Sequence, residues 1–157
     1  MRKVKVIADS CADLNVEQLN KYGIAFAKMS TSCDGVESVA TLTWTDEEAH
    51  ALYNKMRDGK RIITAQVSVE EFGRIFEEYL KQDMDIVYIG CSSKQSGSVN
   101  TGFVTAKKLM EKYEGSTIIC IDSLNASMGT DRTARRRFGF CRAWKIFQGK
   151  CLDLCKT

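Results

Sequence analysis

DIVYIGCSSKQSGS, Asp85 to Ser98, decides the fold. Its first half, DIVYIGC, is a continuous apolar run with β-branched residues, which is how a strand buried on both faces reads. The second half is small and hydroxyl-rich, and it leads into an amphipathic stretch from about Val99 to Tyr113 that reads as a helix. The same order of strand, polar loop and helix recurs on either side. Upstream, VKVIA at Val4 to Ala8 ends in the polar cluster ADSCAD; Asn15 is placed as an N-cap, Gly23 as the stop of a helix, and Ile24 to Met29 as a second strand. Thr45 and Glu48 have the spacing of a capping box for a helix that Gly59 ends. Ser68 and Glu71 repeat the device before a helix carrying Phe72, Ile75, Phe76 and Tyr79 on one face. Downstream, Thr117 to Ile121 is a further strand ending at Asp122 and Ser123. Apolar strands alternating with amphipathic helices predict an α/β fold with a mainly parallel sheet and helices on both faces.

Composition bounds what this fold can be. With 157 residues the chain is the length of one modest domain, and 44% hydrophobic with 27% charged residues excludes a disordered chain. No stretch approaches the ~18 apolar residues of a spanning helix, and the run after MRKVK is too short for a signal-peptide core, so a cytoplasmic location is expected. Seven cysteines without a CxxC pair suggest neither a disulfide framework nor a zinc ribbon, and no metal site or cofactor is expected. Charge divides the chain near Gly129: before it, 15 Lys and Arg face 18 Asp and Glu, a net of −3; from Thr130 on, 8 face 2, a net of +6. The last 28 residues also lose the apolar period. Two regions are therefore expected, a body over 1–129 and a basic tail over 130–157 that reads as disordered or as translation in a shifted frame.

In open α/β sheets ligands bind where strands end, and here those ends carry Asp9-Ser10-Cys11, Cys91-Ser92-Ser93 and Asp122-Ser123. The loop from Ser92 to Ser98 precedes a helix N-terminus, where free N–H groups and the positive end of the dipole favour an anion. Ser96, Gly97 and Ser98 would make the contact: Gly97 permits close approach of the backbone, and the two hydroxyls can donate. The alternative is that Ser96 or Ser98 simply caps its own helix. Enzymatic readings lack parts. Asp9 is followed at the second position by Cys11, where an aspartyl-phosphate hydrolase wants a carboxylate, and a nucleophilic Cys11 or Cys91 would need a base, yet the only histidine is His50 in the Thr45–Gly59 helix. No P-loop or dinucleotide fingerprint is present.

Four collinear motifs resemble the DegV family of bacterial fatty-acid-binding proteins. VKVIADSCADL resembles that family's strand followed by D-S-T/C-x-D-L; ITAQVSVEEF at Ile63 to Phe72 its T-S-Q-P-S-x-x-E-F; IGCSSKQSGSVNTG its S-S-x-x-S-G-T; and IDSLNASMG its D-S-x-x-x-S-x-G. The resemblance implies no enzymatic activity of the chain's own. It implies instead that Thr64 and Ser96 hold the carboxylate of a long-chain fatty acid, that the lipid is presented to a partner fatty acid kinase, and that the tail lies in an apolar slot. Asp9, Ser10, Cys11, Ser92, Ser93, Asp122 and Ser123 would line the site around Thr64, Ser96, Gly97 and Ser98. Ala65 and Val67 depart from the T-S-Q-P-S pattern, Ser98 replaces the Thr of S-G-T, and Asn15 stands for a proline. The resemblance also implies a second domain that closes over the lipid, so a body ending near Gly129 would be expected to bind weakly. A competing reading is a binder of nucleic acid or an anionic surface through Arg132, Arg135, Arg136, Arg137 and Arg142, interleaved with Phe138, Phe140 and Trp144.

Overall fold

The computed structural model describes residues 2–14, 16–40, 45–127 and 130. Along the chain run β1 (Lys3–Asp9), a 3-10 turn (Ser10–Ala12), α1 (Val16–Tyr22), β2 (Ala25–Ala27), β3 (Ser30–Cys33), β4 (Val36–Val39), α2 (Asp46–Arg57), β5 (Ile62–Ala65), α3 (Val69–Leu80), β6 (Met84–Gly90), α4 (Ser98–Lys112) and β7 (Ile118–Asp122). The larger sheet has the order β2-β1-β6-β7, and every neighbouring pair in it is parallel. This is the predicted α/β sheet.

Its strands read as apolar runs because both faces are covered. Ile7, Ile86, Tyr88 and Ile118 point to one side, against Phe72, Ile75, Phe76 and Leu80 of α3 and Ala106 and Leu109 of α4. Val6, Ala8 and Ile89 point to the other, against Leu19 of α1, with Ala12, Leu14 and Ile24 completing that layer. Successive residues of one strand thus serve opposite layers, as the two-residue period of a strand requires. Among the described residues no helix is long and apolar enough to cross a membrane.

The helix starts follow their caps. The Thr45 hydroxyl accepts from Glu48 N–H at 3.2 Å, and the Glu48 carboxylate accepts from Thr45 N–H at 2.9 Å, so the capping box is complete. With acids in its first turn and Lys55 and Arg57 in its last, α2 matches its own dipole, although it buries no residue. Ser68 caps α3 through Glu71 N–H at 3.1 Å, but the box is not closed. Glu71 instead binds Arg74 and accepts from Lys28 N–H at 3.1 Å, because a guanidinium one turn on offers a charged partner. Asn15, expected to cap α1, lies outside the described residues.

A second sheet, antiparallel and ordered β4-β3-β5, differs from the expected architecture. The strand expected to run to Met29 ends at Ala27, and the chain crosses into this sheet at Ser30. Its hairpin turns on Asp34 and Gly35, at φ +52° and +80°, the two positive values of a type I′ turn. The boundary expected at Gly129 and the basic segment beyond Thr130 lie outside the described residues; Thr130 itself is fully buried and donates to the Asn125 carbonyl at 3.1 Å.

Tyr88 is the least forgiving part of the core. Its ring lies edge-on to Phe72 at 4.9 Å, and Gly90 and Gly102 leave room for it. A Cβ at Gly90 would stand 2.5 Å from the Tyr88 hydroxyl and 2.6 Å from Val99 Cγ2. Gly90→Ala is therefore expected to lower stability by about 1–3 kcal/mol in urea unfolding, the range for overpacking a filled core. Unchanged stability would show that the ring has room to retreat.

Candidate functional site

Chain connections leave β1 and β6 in opposite directions, β1 leading to β2 and β6 to β7, so the sheet has a switch point between β1 and β6. Crevices for ligands form outside the carboxyl ends of strands at such points. A cleft of about 450 Å³ opens there. Its floor is Ser10 and Cys11 after β1 and Cys91 after β6; one wall is Gln95, Ser96 and Gly97 before α4. The second sheet supplies the opposite wall through Met29, Ser30, Thr31, Ala40, Thr64, Ala65 and Gln66. None of these lining residues is an acid, a lysine, an arginine or a histidine.

Thr64 and Ser96, more than thirty residues apart in sequence, thus border one cleft. Thr64 stands exposed on β5, opposite Thr31 of β3. Ser96 is placed by its own loop: the Ser92 carbonyl accepts from Gln95 N–H at 2.9 Å and Ser96 N–H at 3.0 Å, curling the chain back before the helix. Gly97 is the N-cap of α4, with no side-chain cap bond, so neither serine caps the helix in the usual way. A Cβ at Gly97 would overlap the Gln66 carboxamide, which straps β5 to α4 by donating to Thr101 Oγ1 at 3.0 Å.

Ser98 does not border the cleft. It is fully buried behind Ser96, and its hydroxyl accepts from Val67 N–H at 3.1 Å. The two serine hydroxyls are 2.9 Å apart, and Ser98 N–H also donates to Ser96 Oγ at 3.2 Å. A buried hydroxyl proton needs an acceptor, and Ser96 Oγ is the one within reach, so the chain of bonds runs from Val67 N–H through Ser98 to Ser96. Both lone pairs of Ser96 Oγ are then filled. Its own proton remains for an acceptor in the cleft, and the preceding bonds polarise it in that sense.

Of the other residues expected to line the site, Ser10 and Cys11 do so, whereas Asp9, Ser92, Ser93, Asp122 and Ser123 form the frame behind it. Fully buried Asp9 accepts from Cys11 N–H at 3.2 Å, Cys91 N–H at 2.7 Å and the Tyr88 hydroxyl at 3.0 Å. Burial pushes its carboxyl above the ordinary range, against the opposing pull of those three donors. Burial and the neighbouring Asp9 carboxylate likewise push the Tyr88 phenol far up, so it stays a donor. Ser10 Oγ accepts from Met29 N–H at 3.0 Å and ties the end of β1 to the link between the sheets. Asp122 accepts from Ser93 N–H at 3.1 Å and Leu124 N–H at 2.9 Å; burial raises its pKa, but bonds from Ser93 and Leu124 together bring it below the usual value. Ser92 N–H and the Ser123 hydroxyl both donate to the Asn125 carbonyl, at 2.8 and 3.0 Å.

Of the cleft's second wall the sequence marked Thr64 but not the residues around it. Gln66 lay inside a motif already singled out, and Asp34-Gly35 signals a hairpin, but Ser30, Thr31 and Ala40 carry no signal of their own. His50 is exposed on α2 and absent from the cleft lining. Burial, with Cys11 and Asp9 alongside, pushes the Cys91 thiol up to about 12, the opposite of what a catalytic cysteine that attacks a substrate first needs.

Fold and cleft together define an α/β domain whose switch point carries a cleft lined, among the described residues, by hydroxyl, amide, thiol and small apolar groups. The chain belongs to the DegV family, whose model it matches over residues 3–138. It is 32% identical over 129 residues to the DegV domain-containing protein CPE0026 of Clostridium perfringens, an alignment covering 82% of this chain and 44% of that protein. Among solved structures it is similar to a Thermotoga maritima protein reported to reveal fatty acid binding function, with a TM-score of 0.77 and 26% identity, covering 91% of this chain and 50% of that one. A stearic-acid-binding protein of Eubacterium ventriosum shares the fold at a TM-score of 0.78 and 23% identity, covering 92% and 48%. The chain spans about half the length of the relatives it matches.

Proposed function

We propose that the region before Gly129 is a fatty-acid-binding lobe whose cleft holds the carboxylate of a long-chain fatty acid. The observation that carries this reading is the serine pair: the two hydroxyls lie 2.9 Å apart and Ser98 N–H donates to Ser96 Oγ, so with Ser98 as the donor between them the Ser96 proton is left for a cleft that Thr64 also borders. Such donors recognise an acceptor. Gly97, lacking a side chain, makes room for the Gln66 carboxamide, and the start of α4 beside Ser96 adds the positive end of its dipole to the hydroxyls. Fatty acid binding by the solved relatives supports the choice of ligand. Because no lysine or arginine among the described residues lines the cleft, the carboxylate would be held there without a counter-charge. That leaves it available for presentation to a kinase partner in the cytoplasm, which would supply the catalysis. The reading through the Arg-rich segment rests on residues outside those described.

The head group is the test. Palmitate is expected to bind about tenfold or more tightly than hexadecanol, an alcohol of the same chain length, in calorimetric titration. A hydrogen bond to a charged group exceeds one to a neutral group by about 1 kcal/mol or more. Equal binding of acid and alcohol would mean that the acyl chain alone is recognised.

A further inference from the structure

We propose that Cys11 and Cys91 form a dithiol modification site in the floor of the cleft, which a hydroperoxide converts to a disulfide. Neither thiol has a part in holding a carboxylate, and the inference does not rest on that reading. β1 and β6 run side by side as far as Ala8 opposite Ile89, and the two cysteines stand just beyond that pair on adjacent strand ends. One carboxylate fixes both backbones, since Asp9 takes Cys11 N–H on Oδ1 and Cys91 N–H on Oδ2. Both side chains border the same cavity, and Cys11 is, after burial, among the groups that raise the Cys91 thiol. A disulfide needs a short Cα separation, and the shared Asp9 acceptor draws the two backbones together at adjacent strand ends. Cys33 and Cys120 are placed apart, on β3 of the small sheet and β7 of the large one.

The chemistry divides between the two sulfurs by exposure. Cys11 is half-buried and is the thiol a peroxide meets first; Cys91 is buried behind it. Cys11 Sγ attacks one peroxide oxygen, breaking the O–O bond and giving a sulfenic acid and an alcohol, or water where the oxidant is hydrogen peroxide. Cys91 Sγ then displaces the hydroxyl from the Cys11 sulfur, and its proton leaves with that hydroxyl as water. Two electrons pass from the thiols to the peroxide. Gln95 Oε1, which accepts from the Cys91 thiol at 3.7 Å, loses that contact when the S–S bond forms. Since Gln95 neighbours Ser96 on the cleft wall, oxidation would alter the site from below.

Peptide mapping tests this on the full chain. Reduced protein treated with hydrogen peroxide, alkylated and digested with trypsin without reductant is expected to yield Val6–Lys21 joined to Gln82–Lys94. The joined pair is expected to vanish in Cys11→Ala and Cys91→Ala. Phenylarsine oxide, which bridges neighbouring thiols with loss of water, provides a second measurement on the unmutated chain: it should protect both peptides together from alkylation. Cys11 recovered as sulfinic acid beside unmodified Cys91, or joint protection absent, would overturn the proposal. If the disulfide forms and palmitate fails to bind reduced protein, the fatty-acid reading falls and the dithiol site stands.

Discussion

Thr64→Val combined with Ser96→Ala is expected to weaken palmitate binding by roughly 100-fold or more. Each hydroxyl that donates to a carboxylate contributes about 1.5–3 kcal/mol, and two such losses exceed the ~2.7 kcal/mol that separates dissociation constants a hundredfold apart. The single variants divide the effect from any damage to the fold. Thr64 is exposed on β5, and valine keeps its shape and its preference for strands, so Thr64→Val should leave unfolding unchanged. Ser96→Ala also strands the buried Ser98 proton, and should cost about 1 kcal/mol of stability in urea. Binding by the double variant equal to the parent's would remove both residues from the site.

Asp9 carries the second large effect, on stability and on the cleft floor together. Asp9→Ala leaves two backbone N–H groups and the Tyr88 hydroxyl without an acceptor in the core, for an expected loss of about 3 kcal/mol. Asp9→Asn should cost less, about 1–2 kcal/mol, because its amide can accept on one side only and one N–H then faces an NH2 group. The pH dependence has a definite sign. Burial raises the folded-state pKa of Asp9 above the unfolded value, so the folded protein binds the proton more tightly. The stability linked to this proton is fully present below the unfolded pKa and is lost as pH rises through the folded one. Relative to Asp9→Asn, the parent should therefore gain stability as pH falls from neutral toward 4. A difference between the two that does not change with pH would contradict the burial of an ionisable carboxyl at this position.

How far the sequence reaches can be read from these residues. The parallel sheet was legible because β1, β6 and β7 are apolar runs followed by hydroxyl-rich loops, and because Thr45, Ser68 and Gly59 mark helix ends through local bonds. The short polar strands STSC and VESV have no apolar face to reveal them, since β4 is exposed along its length. The part of the cleft wall that Ser30 and Thr31 of β3 provide was invisible for that reason. Thr64 was marked by resemblance alone and Ser96 also by its place before a helix N-terminus, whereas the burial of Ser98 and the framing role of Asp9 are tertiary facts. A serine's neighbours in space, which decide whether its hydroxyl donates or accepts, do not appear in its neighbours along the chain.

The carboxyl-13C resonance of labelled palmitate reports directly on whether a carboxylate sits between Ser96 and Thr64. In the parent chain the bound resonance should be displaced from that of free palmitate, and it should shift again in Ser96→Ala and in Thr64→Val, because each change removes one donor from the carboxylate. A bound resonance identical in the parent and both variants would place the head group elsewhere and contradict the account.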